Sequence, residues 1–194
     1  MALEIDSQLE KFVRTYETLK RYQHSVRVAE FGLQLAKRHG VDPDKVITAA
    51  LLHDIGRELR KKNLRKWASK YFKIDSIERR QVVLLHGKAG AAIAKEKFGI
   101  EDEEILEAIK YHTTGKPGMS KLAKIIYIAD NAEPNRKQST REYRERILDL
   151  PLDAAMKEMV EEHVDYLQKR GKSVADVTAA LYVELTRGVD IVET

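Results

Sequence analysis

The chain contains no cysteine. That excludes disulfides and thiolate-bound metals, so any bound metal is expected on imidazole and carboxylate. A cytoplasmic location fits the same absence. No apolar run approaches the ~20 residues a membrane-spanning helix needs. The first twelve residues, MALEIDSQLEKF, are acidic and have no apolar segment, so no secretory signal is expected. No alternating strand pattern, internal repeat or low-complexity tract interrupts the 194 residues. One domain over 1–194 is expected, long enough to bury a sizeable core. Charge of one sign is also in short supply. The 35 basic and 31 acidic residues leave a net +4, which fits a phosphorylated substrate or weak nucleic-acid contact without choosing between them. With 43% hydrophobic and 34% charged residues, the composition is that of an ordinary soluble protein.

What is present is helix. In RYQHSVRVAEFGLQLAKRHG, positions His24, Val28, Phe31 and Leu35 share one helical face. Gly40 ends that segment, and Asp42-Pro43 opens the next as cap and first residue. KVITAALLHD, the basic LRKWASKYF, the small-residue HGKAGAAIAKEKFG and EDEEILEAIKYH follow, and then SKLAKIIYIADNAE. AEPNRKQSTREY reads as a loop. PLDAAMKEMVEEHVDYLQKR and SVADVTAALYVELTRG close the chain, the second opened by Ser173 with Asp176 in capping-box spacing. The apolar positions Met156, Val160, Leu181 and Leu185 of these last two suit core packing, or a second subunit in a homodimer. The expected architecture is all-α.

Four histidines and two aspartates end apolar stripes that should point inward. These are His24, His53, Asp54, His86, His112 and Asp130. A lone inward histidine is commonly a hydrogen-bonded core residue. Six such groups together are harder to bury, because an unpaired carboxylate in the interior costs several kcal/mol. A metal centre removes that cost for all six, since neutral imidazoles and carboxylates are good ligands for divalent transition metals. His39, beside a helix-stopping glycine, and His163, among Glu161, Glu162 and Asp165, read as structural or surface residues.

The order of these residues resembles the HD superfamily of metal-dependent phosphohydrolases. The words AALLHDIGRE, LLHGKAGA, AIKYHTTGKPGMS and KIIYIADNAEPNR, spread over roughly residues 18–185, are similar to the YqeK family of bacterial HD proteins, whose members hydrolyse diadenosine tetraphosphate symmetrically to two ADP. IGRE after the HD pair departs from the alanine-lysine variant expected of many relatives. The glycine-tyrosine-proline signature of cyclic-dinucleotide HD enzymes is missing. The resemblance implies a single HD-domain helical bundle with a metal site in its core. It implies one metal on His24, His53, Asp54 and Asp130, and a second on His86 and His112 with Asp54 bridging. Iron is favoured, and manganese or zinc also suit such ligands.

The reaction so implied is attack of an activated water on an inner phosphate, helped by positioning and charge neutralisation. Asp54 and Lys88 are the expected catalytic residues. Arg27, Lys88, Thr113, Thr114, Gly115 and Arg136 are the expected substrate contacts, chosen for their closeness in sequence to a ligand, with Lys116 and Arg57 nearby. The partner is a small nucleotide; a membrane is not expected and nucleic acid is disfavoured. Two alternatives remain at this point. One is an HD phosphohydrolase of GDP, a dNTP or a guanosine alarmone. The other is a non-catalytic HD protein that binds nucleotide or RNA, with the basic helix Lys61 to Lys70 as its surface.

Overall fold

A computed structural model describes residues 5–187, and all the regular structure in them is helical. Local signals set most boundaries. The first helix, α1 (Ser7–Val13), is capped by Asp6. Next, α2 (Leu19–His39) starts at Thr18 and ends at Gly40, whose φ of 67° needs a residue without a Cβ. Asp42 caps α3 (Pro43–Leu52), with proline in its first turn. The basic helix is α4 (Lys61–Tyr71), and the short α5 (Ser76–Arg80) carries a full capping box from Asp75 and Glu78. A 3₁₀ turn, Val82–Leu85, leads into α6 (His86–Ile93), which loosens into a π turn, Ala94–Phe98. Asp102 and Ser120 cap α7 (Glu103–Tyr111) and α8 (Lys121–Ala132). The chain continues through α9 (Arg141–Asp149), α10 (Leu152–Lys169) and α11 (Asp176–Arg187).

The predicted faces are the buried ones. His24, Val28, Phe31 and Leu35 of α2 all turn inward. There α2 lies against α3 and α8, and α7 joins them from the far side. Gly32 permits the close approach, since a Cβ there would lie 3.0 Å from Val46 and 3.6 Å from Ile125. Met156, Val160 and Leu181 are buried in the same core, so α10 and α11 spend these positions on this chain. Two boundaries and one burial differ from expectation. AEPNRKQSTREY is loop only as far as residue 140, because Thr140 caps α9. The last helix starts at Asp176 and not at Ser173. His163 is half-buried, which lowers its pKa. No described helix is long and apolar enough to cross a membrane.

Candidate metal centre

The structure brings the six residues together, and helix ends do the positioning. His24 sits in the second turn of α2, Asp130 in the last turn of α8. His53 and His112 cap the C-termini of α3 and α7, and His86 opens α6. The rings meet in a chain, with centroids 5.3 Å apart for His24–His53 and 4.8 Å for both His53–His112 and His86–His112. Beyond His53 the α-helix gives way to tight turns, as Ile55 N–H donates to Leu52 O and Arg57 N–H to Asp54 O. That departure lets two chain neighbours face one site. On a continuing helix they would diverge by ~100°.

Every imidazole spends its Nδ1–H outside the cluster. His53 donates to Ala50 O (2.6 Å), His86 to Val83 O (2.6 Å) and His112 to Ile109 O (2.8 Å). His24 donates to the buried Glu133 carboxylate (3.2 Å). These bonds fix one tautomer and leave four Nε2 lone pairs facing inward, the arrangement metal-binding histidines use. Asp54 divides its oxygens between two sides. Its Oδ1 lies 3.3 Å from His86 Nε2 and 3.6 Å from His112 Nε2; its Oδ2 lies 3.8 Å from His53 Nε2 and accepts from Arg21 Nη1 at 2.7 Å. Asp130 Oδ1 lies 3.0 Å from His24 Nε2 and 3.8 Å from His53 Nε2.

The donor set fits a divalent metal. His24 Nε2 and His53 Nε2 are buried without a hydrogen-bond partner, a cost of ~1–3 kcal/mol each unless a cation takes them up. His86 Nε2 and His112 Nε2 stand 2.9 Å apart with both Nδ1 atoms already donating, so their lone pairs oppose each other. The Thr113 hydroxyl is 3.0 Å from both, and its single proton satisfies only one. Two triads, His24–His53–Asp130 and His53–Asp54–His112, each place their donor atoms within 4.8 Å of one another. Burial pushes His53 down to about 4, keeping it neutral and ligand-ready. Burial opposes ionisation of Asp54, but His53, His112 and His86 hold its carboxyl well below the usual carboxylate range.

Beside the cluster a cavity of ≈ 240 Å³ is lined by Lys20, Arg21, Arg27 and Arg136, with His24, Glu58 and Glu133. Arg27 Nε donates to Glu133 (2.6 Å), and Arg136 pairs with the Asp130 carboxylate. Arg27, Arg136 and Thr113 therefore lie where sequence proximity put them. Lys88 does not. Residues two apart on a helix diverge by ~200°, and its ammonium is tied to Glu78 (2.6 Å) and Lys73 O (2.8 Å). Lys116 pairs with Glu107. Arg57 rests 3.3 Å from His86 Nδ1, a nitrogen already committed as a donor to Val83 O. Thr114 and Gly115 hold α11: Thr114 O accepts from Thr178 Oγ1 (2.7 Å), and Gly115, at φ 62°, faces Leu181. Gly115→Ala is expected to lower stability by about 1–2 kcal/mol through its left-handed backbone, read as a lower urea midpoint with metal content unchanged.

Four residues here were not singled out from the sequence: Lys20 and Glu58 of the cavity, and Arg21 and Glu133, which pair with the cluster. Arg21 lies one turn before His24, and Glu133 one turn after Asp130. A ligand's i−3 and i+3 neighbours share its helical face, so spacing could have pointed to both.

A buried cluster of four imidazoles and two carboxylates, seated at the helix ends of an all-α fold, defines a metal-binding helical hydrolase site. The chain belongs to the HD domain family, which it matches over residues 21–135. It is 35% identical to a symmetrical bis(5'-nucleosyl)-tetraphosphatase of Halalkalibacterium halodurans, across 90% of this chain and 94% of that one. A protein of the same name from Bacillus subtilis is 31% identical across 91% and 95%. Among solved structures, one described as a predicted HD superfamily hydrolase involved in NAD metabolism from Clostridium acetobutylicum superposes with a TM-score of 0.89. It is 29% identical and covers 96% of this chain and 100% of its own.

Proposed function

We propose that the chain is a metal-dependent hydrolase that cuts diadenosine tetraphosphate symmetrically to two ADP in the cytoplasm. The observation that carries this reading is the junction of the ligand cluster with the cationic cavity, since His24 belongs to both. Relatives named for the same reaction, 31–35% identical over nine-tenths of the chain, support it. We assign two ions, iron first, with manganese or zinc also suited to nitrogen and oxygen ligands. His24, His53, Asp54 and Asp130 would hold one. His86 and His112 would hold the other, with Asp54 shared, as its two divergent oxygens suggest.

When bound, the ions supply Lewis acidity at a phosphoryl oxygen and bring the pKa of a water towards neutrality. The protein supplies position and charge. Arg27 and Arg136 line the cavity as guanidinium forks for phosphate. Arg21 and Arg136 pair with Asp54 and Asp130; with cations on those carboxylates, both guanidinium groups would be available to substrate. Lys20 adds a fourth positive charge, and Thr113 offers a hydroxyl. Water adds to an inner phosphorus while the bond from that phosphorus to the central bridging oxygen breaks. Each half leaves as ADP.

The test is chromatography of the products from diadenosine tetraphosphate. ADP alone supports the proposal; AMP with ATP overturns the symmetric cut. Turnover confined to GDP or dNTPs would move the reading to mononucleotide hydrolysis. Arg136→Ala is expected to lower kcat/KM by about 10- to 100-fold, the scale of a charged hydrogen bond to phosphate, mainly through KM and with metal retained. Metal loss instead would mean that Arg136 chiefly serves Asp130.

A further inference from the structure

Charge is distributed most unevenly on α4 and its flanks. Residues 59–73 contain seven Lys or Arg and no Asp or Glu. The rest of the chain is therefore net acidic, with 28 basic residues against 31 acidic ones. All seven cations are exposed. Among the described residues only Lys70 of the seven pairs with a carboxylate, that of Glu96. Lys62, Arg65, Lys66 and Arg79 line a recess of ≈ 510 Å³ that they share with Ser69, Phe72 and Ile74, and no carboxylate lines it.

Like charges gathered this closely repel one another, and among the described residues only Lys70 of the seven finds a counter-charge, at Glu96. The inner face of α4 does not explain them either. Leu64 and Ala68 are buried against Val82, Leu85 and Ala89, with Trp67 packed alongside, which any mix of outward residues would permit. Among the described residues no carboxylate pairs with the other six.

We infer that this face of α4 and α5 docks single-stranded nucleic acid. Arg65 and Lys66 follow Lys62 by three and four residues, so each lies ~5–6 Å from it on one helix face, a spacing that serves successive backbone phosphates. The recess suits a base, with Phe72 as an apolar surface and guanidinium planes from Arg65 and Arg79. Anionic lipid answers the charge but not the shape. A flat bilayer cannot enter a recess, and the apolar side of α4 is largely spent inside the protein, leaving Tyr71 as its one exposed large apolar side chain. The docking does not depend on the hydrolase reading, because Lys62, Arg65 and Lys66 take no part in the metal centre or its cavity.

The experiment is fluorescence anisotropy of the full-length, metal-loaded protein with a fluorescein-labelled, mixed-sequence oligoribonucleotide of about twelve residues, a length within single-strand site sizes. Salt is varied from about 50 to 200 mM. Binding should weaken with a log–log slope near −2 to −3, as three or four phosphate contacts on a single strand require. In the triple variant Lys62→Ala, Arg65→Ala, Lys66→Ala the slope should become shallower by about 2 and the affinity should fall at least tenfold, with circular dichroism and metal content unchanged. No binding at low salt overturns the proposal. So does equal binding by the variant, which would place the strand at the active-site cavity. Binding confined to vesicles containing anionic lipid overturns it in favour of a membrane surface.

Discussion

Asp54→Ala is expected to empty the metal centre and abolish hydrolysis together. The carboxylate is buried, and its two oxygens face His86 and His112 on one side and His53 and Arg21 on the other. In the proposed two-ion centre it is the one anion that both halves would share. Without it, two inward lone pairs 2.9 Å apart at His86 and His112 lose the charge that favours a cation between them. If the proposed two-ion centre holds, metal content should fall from about two to below one per chain by elemental analysis. Hydrolysis of diadenosine tetraphosphate should fall by about a thousandfold or more, the scale of removing a principal electrostatic element from an active site. The fold should survive, because the apolar core is built without this residue. The isosteric Asp54→Asn separates charge from packing: it keeps the shape and should lose metal nearly as completely. Full activity with metal retained in the alanine variant would overturn the scheme.

The inward faces were legible because burial on a helix leaves a 3.6-residue imprint. His24 shares its stripe with Val28, Phe31 and Leu35, and His112 shares one with Ile105 and Ile109. All of these are buried. The adjacency of His53 and Asp54 was visible, but the turn that lets them converge was not, since it depends on how the chain leaves α3 and packs beneath α6. The substrate contacts show where sequence proximity misleads. Lys88 is two residues from His86 and lands across the helix from it; Arg27 is three from His24 and lands in the cavity. On a helix, nearness to a ligand runs in threes and fours. Counted that way, Arg21 and Glu133 stand out and Lys88 drops away. Thr114 and Gly115 fail for another reason. Their loop is close to His112 in sequence, yet tertiary packing spends it on α11.

Glu133→Gln is expected to weaken metal binding by about 10- to 100-fold, the usual cost of removing the partner that orients a ligating histidine. Glu133 is buried with a full set of donors around it. Oε1 accepts from His24 Nδ1 (3.2 Å), and Oε2 from Arg27 Nε (2.6 Å) and Asn135 N–H (2.9 Å). Burial opposes its charge, but Arg27, Asn135 N–H and His24 hold its carboxyl below the usual carboxylate value. Glutamine nearly matches the shape and supplies one acceptor oxygen where two are needed. If that oxygen faces Arg27, the amide N–H₂ meets the His24 Nδ1–H as donor against donor. His24 then favours the other tautomer, which puts a proton on Nε2, the nitrogen the metal requires. The readout is metal affinity by chelator competition, independent of turnover. At saturating metal kcat should return to within a few-fold of the parent, whereas the loss in Asp54→Ala should persist. Unchanged metal affinity would mean that Glu133 serves Arg27 alone and does not set the His24 tautomer.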